Sequence, residues 1–158
     1  MHTTKNDLAE ENREKIVEML NARLADATDL KSQAKQAHWN VKGIHFFQLH
    51  ELFDQVATAV QAHIDLIAER ATALGGTALG TIRTAAQNSS LAEYPLEIID
   101  GRDHVDALST AMADFGKRVR QNIDEADEFG DADTADLFTE ISREIDKLLW
   151  FVEAHVQA

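Results

Sequence analysis

Residues 35–54 read KQAHWNVKGIHFFQLHELFD, and the reading of this stretch decides the fold. Gly43 separates two segments whose apolar residues recur at three- and four-residue spacing, the period of one face of an α-helix. Upstream, the stripe is Ile16, Leu20, Leu24, Ala27, Leu30, Ala34 and Ala37. It predicts a helix from about Asp7 to Val41, with Gly43 as its left-handed C-terminal cap. Downstream, Leu49, Phe53, Val56, Val60, Ile64, Ile67, Ala71 and Leu74 predict a second helix from about Phe46 to Leu74, which Gly75 and Gly76 end. Two helices joined by so short a turn form an antiparallel hairpin.

The same period continues beyond the hairpin. Val105, Leu108, Met112, Phe115, Val119 and Ile123 mark a third helix, and Leu137, Ile141, Ile145, Leu148 and Val152 a fourth, with Asp131 or Asp133 as candidate N-cap. One proline and seven glycines leave the helices few breakers. The connection from about Thr77 to Gly101 is much longer than bundle loops usually are. A crossover of that length leaves the second and third helices parallel, so the expected fold is an all-α, ferritin-like four-helix bundle rather than an up-and-down one.

With 158 residues, 44% hydrophobic and 27% charged, the chain has the size of one domain, expected over 1–158. It has no cysteine, which excludes disulfides and thiolate metal sites; any metal must be held by nitrogen and oxygen. No window approaches the roughly 18 apolar residues of a membrane span, and the N-terminus lacks a signal-like apolar run, so a soluble cytoplasmic protein without a membrane partner is expected. The formal charge of −13 opposes binding to a phosphate polyanion, and the terminal segments carry no basic cluster.

His38 falls in the last turn of the first helix and His50 in the first turns of the second, about equally far from Gly43, so the hairpin brings them together. Asp65 and Glu69, four residues apart on the second helix, stack on one face. Imidazoles and carboxylates together suit ferrous iron or zinc. His50 and Asp65 are nevertheless fifteen residues apart, about 22 Å along a helix axis. The sequence therefore offers a site shared by two antiparallel copies of the second helix about a twofold axis, or no site. The ordinary readings are a solvated acidic face, with Glu69 paired to Arg70 or another base, and a cap or interior role for His38. His45 reads as a loop residue, and Trp39, Phe46, Phe47, Trp150 and Phe151 as core.

The run KQAHWNVKGIHFFQLHELFDQVATAVQAHIDLIAERATALGG, followed by TALGT, EYPLEI, DHV, DADTAD and EIDKLLWFVEAH, closely resembles the Dps family of bacterial mini-ferritins over nearly all of residues 30–156. The resemblance implies a four-helix bundle with a short extra helix in the crossover, within residues 77–100, and a hollow dodecamer. Carried over position by position, it makes His38 and His50 metal ligands from one subunit and Asp65 and Glu69 ligands from its twofold mate. Trp39 matches the family's tryptophan beside the centre, a radical quencher, and Asp54 a residue that orients a ligand. No Glu is followed three residues later by His, which separates the chain from ferritins with a centre inside one bundle.

The activity implied is that of a ferroxidase: oxidation of ferrous iron, with hydrogen peroxide or dioxygen as co-substrate, followed by storage of ferric mineral under oxidative stress. Zinc is a substitute for iron at such donors. The turn NIDEADEFGDADTAD carries seven acids and no base. Around a threefold axis it would form a negative funnel. Alignment on Trp150 assigns Asp127, Asp131 and Asp136 to the family's iron-uptake pore; a solvated turn with an aspartate cap is the alternative. The competing function is a nucleoid-associated protein that protects DNA by binding it. Family members that do so commonly use basic tails, so DNA binding is not expected here.

Overall fold

The computed structural model describes residues 1–157, which form five helices: α1 (Glu10–Asn40), α2 (Phe46–Ala73), α3 (Ile82–Asn88), α4 (Gly101–Glu128) and α5 (Ala132–Glu153). α1 packs chiefly on α2 and α4 on α5, while α1–α4 and α2–α5 contacts close the bundle. Among the described residues there is no strand, and no helix is long and apolar enough to cross a membrane.

The periodic stripes are the core. All seven residues of the α1 stripe are buried, as are Phe53, Val56, Val60 and Ile67 of α2, Leu108, Met112 and Phe115 of α4, and Ile141, Ile145 and Val152 of α5. In α5 the first fully buried apolar residue is Phe138, while Leu137 is only partly covered.

The crossover makes α2 and α4 parallel. α2 ends beside the start of α1, where Arg13 Nη1 donates to the Leu74 carbonyl at 2.9 Å. α3 follows, capped by Thr81. The chain is then clipped to α1: Ser90 N and Oγ donate to buried Asp26 at 2.7 and 2.9 Å, and Ser89 Oγ to Asp29 at 2.6 Å. At the far end Lys42 N donates to the Ile99 carbonyl at 3.0 Å, and Asp100 caps α4 through Arg102 N. α4 thus starts at the end of the bundle where α2 starts. This is the ferritin-like topology with a short crossover helix.

Three expectations are corrected. α1 begins at Glu10 rather than Asp7, because Asn6 Oδ1 accepts the Leu8 N–H and holds a competing turn. Gly43 has a φ of 108°, yet it does not cap α1; extended Val41 ends that helix, and the Gly43 carbonyl accepts from Phe46 N at the start of α2. Trp39, Phe47 and Trp150 are not core: they are 64%, 67% and 59% exposed, and Phe46 is exposed as well. Each of the first three lies two residues from a stripe position, Ala37, Leu49 or Leu148. That is a rotation of about 200° on a helix of 3.6 residues per turn, onto the outer face.

Candidate metal centre

The short turn from α1 to α2 holds His38 and His50 face to face, with ring centroids 3.7 Å apart and planes inclined by 20°. Their hydrogen bonds are reciprocal. His38 Nδ1 lies 2.7 Å from the His50 carbonyl, and His50 Nδ1 lies 2.8 Å from the His38 carbonyl. A carbonyl oxygen only accepts, so each Nδ1 carries the proton and donates it. In the neutral ring the remaining lone pair then sits on Nε2. Fixing the tautomer through the other ring nitrogen is the usual way a protein prepares imidazole to ligate a metal. Both rings are half-buried, and among the described residues neither Nε2 has a hydrogen-bond partner; His50 Nε2 lies 4.0 Å from Glu51.

Asp65 and Glu69 project from the exposed face of α2, and among the described residues neither carboxylate has an ion-pair or hydrogen-bond partner. The base beside them in sequence is engaged elsewhere: Arg70 Nη2 meets Asp131 Oδ1 at 2.6 Å, and its Nη1 meets Asp133 at 3.7 Å. The Arg70–Glu69 pairing that would have made Glu69 an ordinary surface acid is not formed.

The two pairs do not meet within one chain. Among the described residues no three His, Asp or Glu side chains come close enough to hold a metal ion. This is the outcome required by a fifteen-residue separation on one straight helix. Around the histidines the surface is apolar, with Trp39, Ile44, Phe46 and Phe47 all exposed.

The remaining expected residues fall as follows. Asp54 bonds Lys35 Nζ at 2.6 Å rather than a histidine, and this hydrogen bond holds its carboxyl below the ordinary carboxylate range. The same Lys35 lies 5.6 Å from the Trp39 ring centre, so the base links the two residues assigned to support the centre. In the acidic turn, Asp127 and Asp136 are exposed, whereas Asp131 is 2% exposed and its carboxylate caps α5 through Thr134 N while pairing with Arg70. That carboxylate is committed to contacts within its own chain. Of the two candidate caps, Asp131 is the cap and Asp133 is not.

Two buried histidines escaped the sequence reading, because neither belongs to a ligand-like spacing. His63 has Nε2 3.0 Å from Glu144 Oε2, off the line of a hydrogen bond, and burial lowers its pKa. Nδ1 of buried His104 in α4 lies 2.6 Å from the Tyr94 hydroxyl.

Residues 17–158 match the ferritin-like domain family. The chain is 46% identical over 156 residues to a DNA protection during starvation protein of Agrobacterium fabrum, covering 99% of this chain and 96% of that relative. A protein of the same name from Brevibacillus brevis is 31% identical over 145 residues, covering 90% and 95%. Among solved structures, Dps of Mycobacterium smegmatis superposes with a TM-score of 0.95 at 26% identity, covering 100% of this chain and 95% of that one. Dps of Vibrio cholerae O1, described as a member of a broad superfamily of ferritin-like diiron-carboxylate proteins, gives 0.91 at 28% identity, covering 99% and 98%.

Proposed function

The chain belongs to the Dps family of ferritin-like proteins, and we propose that it is a ferroxidase that detoxifies and stores iron at centres shared between subunits. Each centre takes His38 and His50 from one subunit and Asp65 and Glu69 from its twofold mate, within a hollow dodecamer. The observation that carries this reading is the division of the donors. Two imidazoles with fixed tautomers lie at one end of α2 and two unpaired carboxylates at the other, and neither set is a site alone. Antiparallel pairing of α2 with its copy brings unlike ends together. It also covers the apolar surface around Trp39, Ile44 and Phe47.

Ferrous iron is the substrate. Nε2 of each histidine offers a neutral donor, and the two carboxylates supply negative charge that favours the ferric product over the ferrous reactant. Hydrogen peroxide accepts two electrons, one from each of two ferrous ions, and its O–O bond breaks without release of hydroxyl radical. The ferric product then hydrolyses and is stored inside the shell, and zinc would occupy the same donors without turning over. The name shared by the relatives speaks of DNA protection. For this chain we assign that protection to removal of iron and peroxide rather than to contact with DNA.

Complementation tests the shared site. His50→Ala and Asp65→Ala proteins are each expected to be inactive, and dissociating, mixing and reassembling them should restore about a quarter of the native rate. Half of randomly formed pairs are mixed, and a mixed pair has one intact site of two. Reassembled shells with no activity would falsify the shared centre.

A further inference from the structure

We propose that Tyr94 and His104 form a proton-coupled electron-donor site, which takes up one-electron oxidising equivalents that escape the iron reaction. Tyr94 is the chain's single tyrosine. Its hydroxyl lies 2.6 Å from His104 Nδ1, and the two rings are nearly parallel, inclined by 20° with centroids 6.0 Å apart. His104 is 1% exposed, and Nε2, its other ring nitrogen, has no hydrogen-bond partner. Tertiary structure alone makes this pairing: Tyr94 stands in the crossover and His104 in the first turn of α4.

The chemistry of the pair follows from its surroundings. Burial pushes the phenol far above its ordinary pKa, so Tyr94 is protonated at any physiological pH and loses an electron readily only if a base takes the proton at the same time. Nδ1 is that base. Burial also lowers the pKa of His104, while Asp103 and Asp100 oppose the shift and stabilise the transient imidazolium. Trp39, the aromatic residue beside the candidate centre, is exposed and its indole nitrogen has no such base among the described residues. Buried Phe53, one turn beyond His50 on α2, lies with its ring centroid 6.5 Å from that of His104, an apolar bridge from the centre to the pair.

The oxidant is hydroxyl radical, formed when one ferrous ion reduces one peroxide. An electron from Tyr94 converts that radical to hydroxide, while the phenolic proton crosses to Nδ1, leaving a neutral tyrosyl radical and imidazolium. A further ferrous ion returns the electron and is oxidised to ferric, and the proton moves back from His104 to Tyr94. The source of the oxidant rests on the ferroxidase reading; the redox behaviour of the pair does not.

The experiment therefore has two arms on the assembled protein. In the first, samples given ferrous iron and excess peroxide are freeze-quenched for electron paramagnetic resonance while iron oxidation is followed by absorbance. A tyrosyl signal is expected in the native protein and in no Tyr94→Phe sample, and since the chain has one tyrosine the assignment is unambiguous. In the second arm, photo-excited tris(bipyridyl)ruthenium with a sacrificial acceptor oxidises the protein without iron. His104→Gln should slow tyrosyl formation by about a hundredfold, the lower range of what a positioned base contributes. An unchanged rate in His104→Gln overturns the proton-acceptor role. Iron oxidation that proceeds with no tyrosyl signal overturns the site as a sink, whereas loss of the shared iron centre alone leaves the photochemical result standing.

Discussion

At the scale of single residues, Asp131 binds three structural features together. One oxygen caps α5 through Thr134 N and receives Arg70 Nη2 from the end of α2, while Thr134 Oγ1 bonds the other and itself accepts from Arg70 Nε. Removing one partner of a buried ion pair strands the other, at about 3–5 kcal/mol. Asp131→Ala should therefore lower the thermal or urea midpoint sharply at matched protein concentration. Asp131→Asn should fall short of that loss because an amide oxygen still caps. Equal loss in the two variants would show that the ion pair, and not the cap, supplies most of the stabilisation. Sequence alone makes Asp131 a candidate both for the cap and for the pore. Choosing between them depends on Arg70, 61 positions earlier, and no local pattern carries that contact. The histidine pair was legible for the opposite reason: its partners flank one short turn, so spacing alone brings them together.

At the scale of elements, the period of apolar residues located all four long helices and their inward faces. It does not say what lies on the outward faces, which is why Trp39, Phe47 and Trp150 read as core until their angular position was known. The crossover helix α3 has only seven residues and one buried side chain, Ala85, so it has no period to read and came from family resemblance alone. The α4–α5 turn is fixed by backbone. Gly130, at a φ of 77°, and Asp131 donate to the carbonyls of Asp127 and Ala126, closing α4 so tightly that Asp131 caps α5 at once. That leaves Asp127 and Asp136 as the exposed acids among those assigned to the pore. The double variant Asp127→Asn, Asp136→Asn should slow ferrous uptake by about tenfold at low ionic strength, the lower range of electrostatic focusing. Raising salt should bring the two proteins together, since a Debye length of about 3 Å at 1 M erases the funnel. Stopped-flow oxidation kinetics across a salt series measures this, and coincident low-salt rates remove the pore assignment.

At the scale of the whole molecule, the formal charge of −13 on each chain sets the encounter with DNA. The proposed dodecamer would multiply that charge, and phosphate would be repelled unless bases were gathered in one place. Three bases stand close together on α4, Lys117, Arg118 and Arg120, and two of them are engaged locally. Arg120 pairs with Asp146 at 2.7 Å, and Arg118 turns toward the crossover, its Nη2 3.5 Å from the Ser90 carbonyl. Residues 2–8 are tied down as well, since His2 N donates to the Gly75 carbonyl at 2.7 Å and Thr4 and Asn6 form local turns. In a gel-shift titration at about 50 mM salt and neutral pH, where electrostatic binding is strongest, DNA should migrate freely. The same DNA should survive ferrous iron plus peroxide when native protein is present and be cut when the His50→Ala protein replaces it. Retardation at low salt that vanishes by about 200 mM would instead mark electrostatic phosphate contacts and would put direct binding ahead of chemical shielding. Protection without retardation ties the shielding of DNA to the removal of its two attackers at His38, His50, Asp65 and Glu69.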